Sequence, residues 1–518
     1  MQNNQSFMDK NTVIATILIL LIWVAWGNYF QPKPPANTKP VQTAESQNKS
    51  DTVAEAMEVE KTGNLETKTI SKQEESFMDV DNNTMSFQIS SKGMGLKDIV
   101  LKNYTDRQQE RIKYYEGKSL RNFETRINER DIYFDIRKIS SSEFLGSYED
   151  ENIKVEKIYN LDMDKYTIQT NLKIHNKSKQ DIQVENYILD ITKEEPDMSI
   201  FKPSFEKQEI FVYANNEVER EVYHLDELVN QDIAKASIIA LSSHYFTRAL
   251  IDYSDFIPNM RAFYNGDTKE TIAKLIYPKT SKEDISMTYK SYIGPKKFNI
   301  VGMVDERFSE VVDYGFFSGI AKPILRLLVY LYDLMGNYGF AIIVLTILVR
   351  MAVLPFNVMS YKSMKKMQVI QPIIQKIREK HKDDPMKMNQ EVMAVMKENK
   401  ANPMGGCLPM FLQLPIFFAL YQVLGQSIEL YQAPFIFWIQ DLSLKDPYFV
   451  LPVLMGITMY LQQKFTPTAL DPTQAKVMMF LPVVFSLMMV ALPSGLTLYI
   501  FISTLFAVIQ QKILMKTV

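Results

Sequence analysis

The sequence predicts a multi-domain membrane protein: six transmembrane α-helices and a soluble antiparallel β-sandwich domain held outside the cytoplasm. Three observations carry this prediction. Charge and hydropathy are sorted along the 518 residues, polar up to about residue 315 and mostly apolar beyond it. Short runs of period two, punctuated by Asn, Asp, Gly and Ser, fill residues 77–300. Apolar segments near 12–30, 336–358, 404–428, 448–464, 476–492 and 494–512 supply the six candidate spans.

The first segment (TVIATILILLIWVAWGNYF) carries no charge, and its bulky tryptophans favour an uncleaved anchor over residues 1–30. A cleaved signal peptide is the competing reading, because Ala25-Trp26-Gly27 loosely resembles a cleavage site. Residues 31–76 are rich in Pro, Gln, Asn, Thr, Lys and Glu. They lack the apolar area needed to offset ordering, so they read as a flexible linker.

The β domain is expected over 77–317. In Tyr166–Ile174, the side chains of Ile168, Thr170, Leu172 and Ile174 fall on one face, and Asp181–Asp190 reads as a second strand. Residues 318–335 follow as an amphipathic helix at the membrane surface, with Ile324, Leu327, Leu328, Leu331, Leu334 and Met335 forming its stripe. A helix packed on the β domain is the alternative.

Loop charge sets orientation. Residues 359–403 carry ten Lys/Arg, whereas the loop between spans three and four has Lys445 alone against Glu429, Asp441 and Asp446. Basic loops inside and acidic loops outside place the N-terminus in the cytoplasm and the β domain in a Gram-negative periplasm. Within the basic loop, Met364, Met367, Ile370, Ile374 and Ile377 repeat at helical spacing, as do Val392, Met393, Val395 and Met396. This predicts a cytoplasmic helical hairpin whose surface suits anionic lipid, ribosomal RNA or a partner protein. The prolines inside the spans (Pro355, Pro409, Pro415, Pro452, Pro482) can be accommodated by bundle neighbours. Leu492-Pro493-Ser494-Gly495 leaves room only for a tight turn between the last two spans, and residues 513–518 form a short cytoplasmic tail.

Enzyme chemistry has little support. The four histidines are scattered, no phosphate-binding glycine pattern occurs, and no Ser–His pair lies within the spans. No catalytic residue, metal site or cofactor is expected, and the single cysteine, Cys407, excludes an internal disulfide. The 29 methionines suit adaptable apolar surfaces as well as ordinary lipid-facing positions.

Arg350 stands apart as the only charged side chain well inside a span. An arginine at a bilayer centre costs about 2.5–3.5 kcal/mol or more, and no carboxylate lies inside any span to offset it. Thr346, one turn away, and Gln413 in span three are candidate polar neighbours. A hydrated cavity open to the cytoplasm and snorkelling to the inner headgroups both account for the position.

Several segments resemble the YidC-type membrane protein insertases. They are Tyr292-Ile293-Gly294-Pro295-Lys296, Val312-Asp313-Tyr314-Gly315, Gly336-Asn337-Tyr338-Gly339-Phe340 and Asn402–Cys407. Further on come Gln413-Leu414-Pro415-Ile416-Phe417, Gln432-Ala433-Pro434-Phe435, Trp438–Ser443, Asp446-Pro447-Tyr448 and Pro493–Tyr499. The resemblance implies a five-helix insertase core over 336–512 and a hydrophilic groove open to cytoplasm and lipid, lined by Arg350, Thr346 and Gln413. It implies a substrate slide along spans three and five with Phe417, Met455, Met488 and Met489, and core-stabilising roles for Trp438 and Tyr499. Implied partners are nascent membrane proteins, the Sec translocon, the phospholipid bilayer and, weakly, the ribosome, with no DNA. Lys362, Lys365, Lys366, Lys376 and Arg378 are the expected hairpin contacts. The family often has a second aromatic beside Tyr499, where this chain has Ile500. The implied function is insertion, folding and assembly of inner-membrane proteins. A secondary transporter or channel is the alternative, disfavoured by the lone intramembrane charge and the lack of an evident inverted repeat.

Overall fold

The computed structural model describes residues 74–192, 208–222, 230–381, 384–399, 408–466 and 472–517. The architecture below belongs to one compact unit, Glu75–Val518. The anchor and all but the last three residues of the linker expected ahead of it lie outside the described residues, as does Asn402–Cys407.

The chain first forms β1 (Phe77–Asp81), β2 (Met85–Ser90), β3 (Leu96–Thr105), β4 (Arg111–Lys113), β5 (Thr125–Ile127) and β6 (Asp135–Lys138). Next come β7 (Glu143–Glu149), β8 (Ile153–Leu161), β9 (Thr167–Asn176), β10 (Val184–Ile191), β11 (Glu209–Ala214) and β12 (Glu217–Val222). The last are β13 (Asn230–Ile233), β14 (Ala236–Ser242), β15 (Phe246–Asp252), β16 (Asn259–Asn265), β17 (Glu270–Ile276) and β18 (Asp284–Pro295). They pair into a four-stranded sheet (β1-β2-β3-β4), a five-stranded sheet (β13-β16-β17-β10-β5) and a nine-stranded sheet (β12-β11-β14-β15-β18-β9-β8-β7-β6). Strands β10 and β17 of the second sheet pack on β14 of the third, and all three sheets share one apolar core.

In β9 the alternation holds residue by residue, with Ile168, Thr170, Leu172 and Ile174 buried. By contrast, β10 is buried from Val184 to Asp190, because β17 and β5 flank it and packed layers cover both faces. Its two carboxylates are paired internally: Glu185 with Lys274 at 2.8 Å and Asp190 with Arg248 at 2.6 Å. Gly294 is glycine for space, since a Cβ there would stand 2.7 Å from the Tyr166 ring.

Nine helices are described: α1 (Phe298–Val304), α2 (Ser318–Met335), α3 (Tyr338–Ala352), α4 (Leu354–Lys380) and α5 (Pro385–Glu398), then α6 (Leu408–Gln426), α7 (Val450–Phe465), α8 (Pro472–Met488) and α9 (Ser494–Thr517). Among the described residues, Gly315–Met335 and Ser494–Met515 are long and apolar enough to cross a membrane. The α3–α4 pair, bent by 56°, would be a third such span. Helix length alone does not reach six spans: α7 and α8 hold 16 and 17 residues, short of the ~20 a perpendicular crossing needs.

The α2 stripe is rotated from the one read in the sequence. Ala321, Leu325, Leu328 and Leu331 are buried, while Leu334 and Met335 are exposed. The helix packs on α3 and α6 rather than on the strands, so its inner line follows those neighbours. In the hairpin, Ile370 and Ile374 of α4 meet Val392, Val395 and Met396 of α5, whereas Met393 faces outward at 63% exposure.

Candidate functional site

The helix ends nearest the β domain, the outer ends on the expected orientation, are tied together by short polar turns. Gly336 ends α2 in the left-handed conformation at φ +68, a cap glycine adopts without strain. The Asn337 side chain then caps α3, accepting from the Gly339 and Phe340 amides at 2.9 and 3.2 Å. Its amide nitrogen donates to the Pro434 and Phe435 carbonyls, each at 3.2 Å. A Cβ at Gly339 would lie 1.9 Å from the Phe435 ring, so this close approach requires glycine.

Asp446 anchors the next turn. It accepts from Trp438 Nε1 at 2.9 Å, the Tyr448 amide at 3.0 Å and the Leu451 amide at 2.7 Å. Trp438 also packs edge-on against Tyr448 with centroids 6.3 Å apart. The Leu442 and Leu444 carbonyls accept from the Gly495 and Ser494 amides, stitching this loop to the start of α9. The sequence segments that open α3, fill the 432–448 loop and begin α9 thus assemble into one outer cap.

From that cap α3 runs inward and ends soon after Arg350, which occupies its last turn. The following break at Val353 comes from Pro355, which has no amide to continue the helix and sits near the start of α4. A cation there faces the negative end of the α3 dipole. Arg350 is half-buried, and its Nε donates to Ser503 Oγ on α9 at 2.7 Å. Among the described residues, no carboxylate pairs with it. Beyond the break, α4 carries Lys362, Lys366, Lys376 and Arg378 exposed and Lys365 half-buried.

The expected neighbours of Arg350 are placed differently. Thr346 is fully buried and its hydroxyl donates to the Ile342 carbonyl at 2.6 Å, so it is satisfied by its own helix instead of lining a wet surface. Gln413 donates to the Tyr499 hydroxyl at 3.1 Å, not to the arginine. Tyr499 and Ser503 are one turn apart on α9 and both buried, so this helix gathers α3 and α6 around one polar face. Thr504 and Thr458 meet at 2.7 Å, binding α9 to α7. Ser503 was missed because a serine in an apolar helix costs little and gives no sequence signal. Its four-residue spacing from Tyr499 was the available clue.

Among the expected slide residues, Phe417, Met488 and Met489 are half-buried. Met455 is completely buried on α7, the fourth expected span. It offers no surface in this conformation.

Two family models match the chain: 60Kd inner membrane protein over residues 330–518, and YidC periplasmic domain over residues 144–327. The membrane protein insertase YidC of Haemophilus influenzae is 38% identical over 381 residues, 71% of this chain and 69% of that protein. Those of a Geobacter species and of Geotalea daltonii are 49% and 44% identical, covering 45% and 54% of this chain. Those matches take in 44% and 53% of the relatives, so the chain spans about half their length. Among solved structures, an active YidC insertase crystal structure with its first transmembrane domain resolved aligns at 18% identity, with a TM-score of 0.38, over 84% of this chain and 91% of that one. The helical region and the β domain each match a model of the same family in the same order, and the Haemophilus influenzae alignment runs through both. The chain therefore belongs to the YidC family of inner-membrane proteins.

Proposed function

We propose that this chain inserts and helps fold and assemble inner-membrane proteins. The observation that carries the reading is Arg350: a half-buried cation at the inner end of α3, bonded to Ser503 and without a carboxylate partner among the described residues. A fixed, unneutralised cation of this kind favours water and anionic groups beside it. A hydrated groove open to the cytoplasm lowers the cost of bringing a short polar segment into the membrane. An acidic segment gains further from the arginine, and a potential negative inside drives its charge outward by about 2.3 kcal/mol per 100 mV. The relatives, named membrane protein insertases, support the same reading.

In this proposal six spans, the N-terminal anchor included, place the N-terminus in the cytoplasm and a β-sandwich in the periplasm. The substrate's apolar segment lies along Phe417, Met488 and Met489. Nascent membrane proteins are the substrates and the Sec translocon a partner. The basic face of α4 meets the ribosome or the inner headgroups.

Depletion of the native protein followed by complementation tests it. An Arg350→Ala protein made at normal levels is expected to lose insertion of substrates with charged tails. Arg350→Lys is expected to retain more activity than Ala. Insertion of every substrate at the wild-type rate by the alanine protein would sink the groove mechanism.

A further inference from the structure

Glu429 is buried where the β domain rests on the helical core. It lies in the single turn Ile428–Leu430 just after α6 and is only 8% exposed. Its Oε2 has no hydrogen-bond partner, and the Tyr314 hydroxyl near it lies close to Ser427 Oγ without a well-formed bond. Three buried carboxylates of the β domain face a cation, Glu185 with Lys274 at 2.8 Å, Glu209 with Lys296 at 3.1 Å and Glu124 with Arg126 at 2.8 Å, while Asp252 and Glu270 are held by hydroxyls and an amide instead. The groups that face Glu429 are Tyr104 on β3, Lys297 before α1, Tyr314, and Tyr338 on α3. Lys297 is the one cation among them and makes no ion pair with it.

A buried carboxylate without such a partner is poorly solvated. Protonation removes the buried charge, which neither Lys297 nor the neighbouring tyrosine hydroxyls neutralise, and gives the acid an O–H donor of its own. The same turn is where the β domain docks. Tyr431 OH donates to the Thr105 carbonyl at 2.8 Å, and Gln432 Nε2 donates to the carbonyls of Thr105 and Asp106 at 3.0 and 2.8 Å. His244 Nε2 lies 3.1 Å from the Gly425 carbonyl, and the Tyr245 ring packs on Tyr431. Lifting the β domain would open Glu429 to water.

We propose that Glu429 is a proton-binding site through which the outer compartment's pH controls docking of the β domain on the 428–432 turn. The site faces outward because Tyr314, which adjoins it, belongs to the segment matching the periplasmic domain model. The proposal does not depend on the insertase mechanism. Burial pushes the Glu429 carboxyl above the ordinary value of 4.5, with Lys297 opposing it only in part. The docked form thus holds the proton more tightly than the undocked form. Docking is strongest below the ordinary glutamate value and weakens as pH rises through the docked one, by up to ~tenfold per pH unit.

The test uses the full chain in lipid nanodiscs, with Cys407→Ser and spin labels at the exposed positions Ile139 and Gln440. Raising pH from 5 to 8 should broaden the distance distribution in the wild-type background. Glu429→Gln, which keeps the shape without the charge, should hold the narrow distribution at every pH. His244→Gln should respond to pH as the wild type does. A wild-type distribution independent of pH, an equal response in Glu429→Gln, or a response abolished by His244→Gln overturns the proposal. If Glu429→Gln does not fold, Glu429→Leu, which also removes the charge, takes its place with the same expected and overturning outcomes.

Discussion

Asp446 holds the outer cap at three points, since one carboxylate accepts from the Trp438 indole and from two backbone amides. It is 1% exposed, so its loss leaves buried donors that water cannot easily reach. Asp446→Ala should lower unfolding stability by about 2–4 kcal/mol, and Asp446→Asn by less, because the amide oxygen still accepts. Thermal unfolding of the purified chain measures both; equal midpoints for the alanine and native proteins would refute the role. At this scale the sequence was informative where a residue is costly. Arg350 could be singled out because a charge in an apolar run needs a reason, and Trp438 and Tyr499 because they sit in distinctive motifs. Ser503 was silent, since a hydroxyl in a helix is cheap. The burial of Thr346 and Met455 was not legible, because neither spacing nor a matching motif says which neighbour covers a helix face.

Elements were legible in proportion to how one-sided their surroundings are. Strand β9 has one covered face and shows its alternation plainly, whereas β10 is covered on both and hides it. The α2 stripe came out rotated because two helices, α3 and α6, decide its inner line. The hairpin was readable because α4 and α5 meet only each other along the seam of Ile370, Ile374, Val392, Val395 and Met396. Its stability should therefore rest on few side chains. Ile374→Ala removes a buried seam residue and should cost about 2–4 kcal/mol locally, seen as faster amide hydrogen exchange in α4 and α5. Val369 is 72% exposed on the same helix, so Val369→Ser should leave exchange unchanged. Equal protection in both variants would show that the seam does not hold the hairpin.

At the scale of the whole molecule, the sorting of charge along the chain was enough to read a soluble β domain joined to an apolar bundle. The contact between them was not readable, because Thr105 and Gln432 are separated by 327 residues and both are ordinary polar side chains. What the assembled molecule adds is a direction. The outer cap, knitted by Asn337, Asp446 and the 493–495 turn, closes one end of α3 and α9, while Arg350 and Ser503 lie towards the other, ahead of the basic hairpin. Water should then reach the arginine from the hairpin side alone. This can be read with single cysteines in a Cys407→Ser background and a membrane-impermeant maleimide. Ile347→Cys, exposed one turn from Arg350, should label in inverted vesicles and stay unlabelled in right-side-out ones, and Gln440→Cys in the cap should do the reverse. Snorkelling without a hydrated groove predicts no labelling at position 347 from either side. Labelling there from the outer side would mean that the cap does not seal, and the one-sided groove would have to be abandoned.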